Sequence, residues 1–445
     1  MEHRDPRGRD GEREDGRSGR RHGRLEAGAF VTVVSGERPR VVITGIGPVT
    51  PIGIGVDDFW QGLASGRNGV RTITQFPIDD LPVTVAGEVD GFEPSDFLEV
   101  KEARRTDRFT QFGIAAAKLA WADAGDPEVV AERGGVIFAT GIGGIRTLLA
   151  QYDVLLNKGP GRVSPFMVPM LMANAPAGHI AMTFGLTGAN FATISACSSS
   201  NHAIWEAMRL LREGTLDFCI AGGSESATLP LTVAAFSQMT ALTKNPDPEV
   251  ASRPFDANRD GFVLSEGACA LIMETEAHAK ARGARVYCEV AGAGASDDAF
   301  HITAPDPKGA GATLAMRWAL ADAGAEPGEV DYINAHGTST PLNDASEAAA
   351  ITNVLGDHAR TVAVSSTKSM TGHQMGAAGA VEGAACALTI SHGMIPPTIH
   401  YSTPDPGIEL DVTPNTAREL DVRFALSNSF GFGGHNTCVA FRKLA

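Results

Sequence analysis

The chain is poor in charge, in aromatic rings and in cysteine. Charged residues occupy 20% of 445 positions, aromatics 6%, and there are six cysteines. So few charges speak against a mainly disordered chain, and the 43% apolar content is enough for a large core. No apolar run approaches the ~18 residues that a membrane helix needs, so no membrane association is expected. The net charge is −15, which argues against nucleic acid as a partner. The cysteines, at 197, 219, 269, 288, 386 and 438, form no CxxC and fit no zinc spacing. No metal is expected. Reduced thiols in the cytoplasm are expected.

What is abundant is glycine, with 51 residues clustered in short motifs rather than at a fixed period. Charge is unevenly spread. Residues 1–40 hold ten Arg against eight Asp and Glu, a net of +2, which leaves −17 on the rest. The first 24 residues hold eight Arg, six acids and five Gly. Such a segment buries too little surface to offset its ordering entropy, so residues 1–38 are expected to be a disordered tail. It lacks the apolar stretch of a secretory signal.

The body alternates strand and helix patterns, which predicts an α/β fold with mostly buried sheet. Strands are expected at 41–44, 135–140, 191–196, 216–221, 330–334, 362–365, 423–427 and 437–441, with a long β stretch at 261–273. Helices are expected at 107–124, 203–211, 313–323, 344–355 and 375–391. The length suits two fused domains or one duplicated fold, and no residue-level repeat is visible.

Cys197 stands apart from the other cysteines. It lies in Ile194-Ser195-Ala196-Cys197-Ser198-Ser199-Ser200, between an apolar strand pattern and an amphipathic helix. A helix N-terminus favours a thiolate and is expected to lower this pKa. The other five sit among apolar or small residues and read as buried hydrophobes. Two histidines follow strand patterns, in Asn334-Ala335-His336-Gly337-Thr338 and in Lys368-Ser369-Met370-Thr371-Gly372-His373. Sites in α/β sheets collect at such strand ends. One Cys with two distant His suits acyl-thioester chemistry. Lys368 and Glu382 flank the second motif and are placed to pair there. A third cluster, Asn428-Ser429-Phe430-Gly431-Phe432-Gly433-Gly434-His435-Asn436, reads as a close backbone approach to a ligand, a mobile gate or a tight turn.

These motifs, in this order, resemble the β-ketoacyl-acyl carrier protein synthases of the elongating, synthase II type. Ser252-Arg253-Pro254-Phe255-Asp256 and Arg259-Asp260-Gly261-Phe262-Val263 extend the resemblance over roughly residues 40–445. It implies a thiolase-like fold of two similar halves in five layers, αβαβα, here 39–290 and 291–445. It implies a homodimer, or a heterodimer with a chain-length-factor subunit if the pathway is type II polyketide synthesis. Cys197 would carry the acyl group, and His336 and His373 would assist malonyl decarboxylation. Lys368 and Glu382 would support the second histidine, and backbone N–H groups of Cys197 and Phe432 would form an oxyanion hole. Substrate would meet Ile142, Met167, Phe236, Phe262, Phe430, Thr338 and Thr340. Met167 stands where the fatty acid enzymes usually carry Phe, so an altered pocket end is expected. No cofactor is implied, since substrates ride on the phosphopantetheine arm of acyl carrier protein. Lys101, Arg104, Arg105 and Arg162 match the family's carrier-docking positions. Thr240 departs from a common basic residue, for which Lys244 would substitute. Having Cys197 separates the chain from a non-catalytic scaffolding subunit.

Overall fold

Strand β1 (Val41–Thr50) is buried along its whole length, and its bulk comes from Val and Ile. The computed structural model describes residues 38–444. The expected tail therefore lies outside the described residues, apart from Arg38, which is exposed and ion-paired with Asp322 at 3.0 Å.

The remaining core strands are β2 (Gly134–Ala139), β3 (Asn190–Phe191), β4 (Phe218–Glu225), β5 (Gly267–Thr275), β6 (Cys288–Asp297), β7 (Tyr332–Asn334), β8 (Ala363–Ser365), β9 (Phe424–Gly431) and β10 (His435–Arg442). They hydrogen-bond in the order β8-β7-β9-β10-β6-β1-β5-β4-β2-β3. The order is two copies of one plan. In the first, β1 and β4 run antiparallel to β5, and β2 is parallel to both β4 and β3. In the second, β6 and β9 run antiparallel to β10, and β7 is parallel to both β9 and β8. Among the described residues, the strands of the two copies pair with each other at Val42 with Glu289 and Ile43 with Cys288. The expected boundary at 290/291 falls inside β6.

Helices complete the layers. α1 (Arg108–Asp123) covers β1 and β5 from outside. α3 (Ala310–Ala323) covers β6 and β10, with α4 (Pro341–Leu355) beside it. Between the copies lie α2 (Ser199–Arg212) and α5 (Ala378–His392), each touching strands of both halves. Every residue of α5 from Ala378 to Ile390 is buried, and its run of Ala and Gly lets the helix fit between two sheets. The result is αβαβα, the thiolase-like fold. No helix among the described residues is long and apolar enough to cross a membrane.

Two expectations fail for physical reasons. The stretch 261–273 is not continuous strand. Phe262 and Leu264 make isolated bridges to Leu242 and His373, and regular pairing starts at Gly267. Strand β6 was not expected, because Cys-Glu-Val-Ala-Gly-Ala-Gly lacks the β-branched alternation of a strand. Its glycines answer to packing instead. A Cβ on Gly294 would lie 2.2 Å from the Ala315 carbonyl of α3. In addition, the strand expected over 191–196 shrinks to Asn190–Phe191, which leaves an irregular approach to Cys197.

Candidate active site

Cys197 lies in a single 3₁₀ turn, Ala196–Ser198, that feeds α2 at the seam between the halves. Ala196 adopts a left-handed φ of 51°, a conformation that costs about 1 kcal/mol or more outside glycine. The C-terminal half holds this turn. The Ser198 hydroxyl donates to the carbonyls of Ser429 (2.8 Å) and His435 (2.7 Å). A Cβ on Gly431 would fall 2.7 Å from the Ser195 carbonyl, so glycine is required for that backbone contact. The glycine-rich motif is thus the β9–β10 hairpin, clamped onto the nucleophile turn. Its Phe432 N–H is directed at the Cys197 sulfur.

His373 Nε2 lies 2.9 Å from Cys197 Sγ. The His336 and His373 rings stand edge to face, with centroids 5.4 Å apart. Both rings are buried, and burial holds their pKa values well below the usual histidine range, with the Lys368 charge adding to the effect. Both are therefore neutral near pH 7 and retain one N–H each to donate. His373 Nδ1 has no partner among the described residues.

The lysine–glutamate pair exists but serves a different histidine from the one expected. Lys368 Nζ bonds Glu382 and lies 3.4 Å from His336 Nδ1. The pair is 1% and 2% exposed, and burial raises the Glu382 carboxyl to about 7. The Cys197 thiol also departs from expectation. Burial pushes its pKa up to about 12, and neither Lys368 nor the Phe432 N–H reverses the shift. A helix N-terminus lowers a thiol pKa when the sulfur keeps solvent or a close cation, and Cys197 is enclosed. The other five cysteines are free and buried, as expected of small hydrophobes.

A cavity of about 550 Å³ leads to the sulfur. Cys197, His336, His373, Phe262, Phe430, Phe432, Thr338 and Thr340 all line it. Phe236 lies behind, edge-on to Phe262 at 5.6 Å, within the apolar cluster that contains Cys197. Ile142 and Met167 do not line this cavity. Ile142 is 37% exposed at the β2–α turn, and Met167 begins the short helix Met167–Leu171. Thr240 lines the mouth beside Met239, whereas Lys244 is exposed away from the lining. Lys101, Arg104, Arg105 and Arg162 are exposed, and none forms an ion pair among the described residues. Arg105 stacks 4.5 Å over the Phe166 ring.

The expectation of no metal rests on the spacing of the cysteines along the chain, which does not show that folding gathers three possible ligands here. The ligating atoms of Cys197, His336 and His373 all lie within 4.8 Å of one another. The Lys368 ammonium beside His336 opposes a cation there.

One buried residue escaped the sequence reading. Glu347 of α4 accepts the backbone N–H groups of His336 (2.8 Å) and Gly337 (2.7 Å), and Asn428 Nδ2 (3.2 Å). It ties the first histidine to β9. The available signal was an acid on the small-residue face of α4, four residues before Ile351.

Comparison with known proteins agrees with this geometry. The family models for the β-ketoacyl synthase N-terminal and C-terminal domains match residues 38–279 and 287–402. The chain is 49% identical over 410 residues to 3-oxoacyl-[acyl-carrier-protein] synthase 2 of Synechocystis sp., covering 92% of this chain and 99% of that protein. It is 47% identical to the enzyme of the same name from Coxiella burnetii, with the same coverage. Among solved structures, the ishigamide ketosynthase/chain length factor superposes with a TM-score of 0.85 at 37% identity, covering 92% of this chain and all of that one. A type II PKS ketosynthase bound to its acyl-carrier protein and a hexaketide gives 0.85 at 32%, with the same coverage. The chain belongs to the β-ketoacyl synthase family.

Proposed function

We propose that the protein is a β-ketoacyl-acyl carrier protein synthase that elongates fatty acyl chains. The observation that carries the reading is one cavity holding a nucleophile, two neutral imidazoles and a sulfur-directed backbone N–H. Relatives named 3-oxoacyl-[acyl-carrier-protein] synthase 2, at 46–49% identity over nearly their full length, support the fatty acid substrate.

In the first step the Cys197 sulfur attacks the acyl thioester of a carrier protein. The thiol proton is transferred to the departing carrier sulfur, and the carrier leaves as a thiol. The buried thiol is not ionised in advance, so proton removal accompanies attack. Malonyl-carrier protein then enters. His336 and His373 donate hydrogen bonds to its thioester carbonyl, which accepts negative charge as CO₂ departs. The resulting enolate attacks acyl-Cys197. N–H groups of Cys197 and Phe432 stabilise the tetrahedral oxyanion, where one such donor contributes roughly 3–4 kcal/mol. Collapse expels the Cys197 sulfur and forms the 3-oxoacyl-carrier product. Lys368 keeps His336 neutral and oriented, and Glu382 balances its charge. No cofactor enters the scheme, because both substrates arrive on the phosphopantetheine arm.

The acidic carrier approaches through Lys101, Arg104, Arg105 and Arg162, whose exposed charges offset the −15 background. The active assembly is a dimer, and the six unpaired thiols fit a reducing cytoplasm. A second reading, the catalytic subunit of a type II polyketide synthase with a chain-length-factor partner, draws support from the solved ketosynthase structures at 32–37% identity. Purification from the native host, followed by incubation with malonyl-carrier protein, separates the two. A homodimer giving 3-oxoacyl products supports the first reading, and a stable paralogous partner supports the second.

A further inference from the structure

Glu225, the last residue of β4, has no solvent exposure and forms no ion pair among the described residues. Its carboxylate is surrounded by donors from two separate turns. Oε2 accepts the N–H of Gly141 at 2.7 Å and of Gly376 at 3.2 Å. Oε1 accepts the Thr140 hydroxyl at 3.2 Å, and the N–H of Ile142 adds a further donor. Thr140 Oγ1 in turn accepts the Gly143 N–H at 3.1 Å. One side chain therefore gathers most of the turn after β2 and the 3₁₀ turn Met375–Ala377.

The two turns are in backbone contact. A Cβ on Gly376 would fall 2.1 Å from the Gly141 nitrogen. The second turn is the chemically important one. His373 precedes it, 2.9 Å from the Cys197 sulfur, and Met375 lines the cavity with a left-handed φ of 49°. Met375 also packs in the apolar cluster that contains Cys197, Val233 and Phe262. A flexible thioether in a strained backbone defines a wall only if that backbone is fixed.

Only a carboxylate suits this place. It accepts on both oxygens, whereas an amide of the same shape would turn an NH₂ toward an existing N–H donor. Burying it without a counter-ion is costly, and four donors drawn from the two turns offset part of that cost, leaving the carboxyl raised to about 7.

We propose that Glu225 is a positioning residue that locks the Gly141–Ile142 turn to the Met375–Gly376 turn, fixing Met375 in the cavity wall and so setting which acyl chains Cys197 accepts. This deepens the condensing-enzyme reading and depends on it. The test compares full-length wild type with Glu225→Gln and Thr140→Val, which weaken the tie from opposite sides. Acylation of Cys197 is followed by intact-protein mass spectrometry, using butyryl-, octanoyl- and hexadecanoyl-carrier protein at several concentrations. Alkylation by iodoacetamide and Tm are measured in parallel. Glu225→Gln should change the long-to-short ratio of kcat/KM by roughly tenfold, mainly through KM, while alkylation stays within about twofold of wild type. Thr140→Val should move the ratio the same way by less. An unchanged ratio in Thr140→Val, or a uniform loss at every chain length that follows Tm, overturns the proposal. If Glu225→Gln fails to fold, Thr140→Val decides alone. Wild type that accepts no acyl group at all would instead sink the condensing-enzyme reading.

Discussion

The two halves share a strand plan and divide the chemistry. In the N-terminal half, the turn between β3 and α2 carries Cys197. The matching segment of the C-terminal half, between β8 and α5, carries Lys368 and His373. Likewise the turn after β2 offers Gly141 and Ile142, whereas the turn after β7 offers His336. Equivalent ends of parallel strands, where α/β folds gather their sites, have taken unlike side chains. The scaffold tolerates this because its own demands lie elsewhere, where the two central strands pack under the outer helices. Gly45 and Gly47 of β1 lie under α1, and Gly292 and Gly294 of β6 lie under α3. At each, a Cβ would fall 2.0–2.7 Å from a helix carbonyl. The duplication survives in this Gly-x-Gly packing.

The largest expected effect breaks the division of labour at the nucleophile. Cys197→Ala should lower condensation by at least about 10⁴-fold, read as product from acyl- and malonyl-carrier protein. Next, His373→Ala should cost condensation on the order of 10²–10³-fold while acyl transfer to Cys197 persists. Equal loss of both steps would count against the role given to this imidazole.

Lys368→Met removes the cation paired with Glu382. Breaking so buried a pair should cost about 3–5 kcal/mol in chemical denaturation. An unchanged midpoint would mean that the pair does not hold the C-terminal half together. Gly47→Ala and Gly294→Ala sharpen the symmetry. Each should destabilise by about 1–3 kcal/mol, and by similar amounts, since each meets a helix carbonyl. A large inequality would deny that the two outer interfaces are equivalent.

The smallest effect concerns acid. Both site histidines have depressed pKa values, so they bind fewer protons folded than unfolded. Their contribution is fully present above the unfolded value of about 6.5 and is lost as pH falls. Glu225, Glu347 and Glu382, raised to about 7, act in the opposite sense, losing stability as pH rises toward 7. Comparing wild type with His336→Asn/His373→Asn between pH 7.5 and 5 isolates the histidine term. Wild type should lose more stability on acidification than the variant.

Much of this was legible in the sequence, and the exceptions are instructive. Helix α1 was readable because apolar spacing and the Asp107 cap coincide. Cys197, His336 and His373 stood out as reactive side chains in small-residue surroundings after strand patterns. Strand β6 did not, because its glycines answer to α3, a helix in another layer, rather than to local propensity. Glu225 was illegible for the same reason, and Glu347 left only its place on α4 as a signal, since most partners of both carboxylates are backbone N–H groups, which carry no letter. The thiol shift is not legible because sequence shows a helix start but not the burial that outweighs it. Sequence proximity puts Lys368 beside His373, while folding brings it to His336.

The most direct test is intact-protein and peptide mass spectrometry after incubation with acyl-carrier protein. The account predicts a single acyl adduct on the peptide containing Cys197, released on adding malonyl-carrier protein with formation of a 3-oxoacyl product, and absent from Cys197→Ala. No adduct on the wild-type protein, or an adduct that persists in Cys197→Ala, would contradict it.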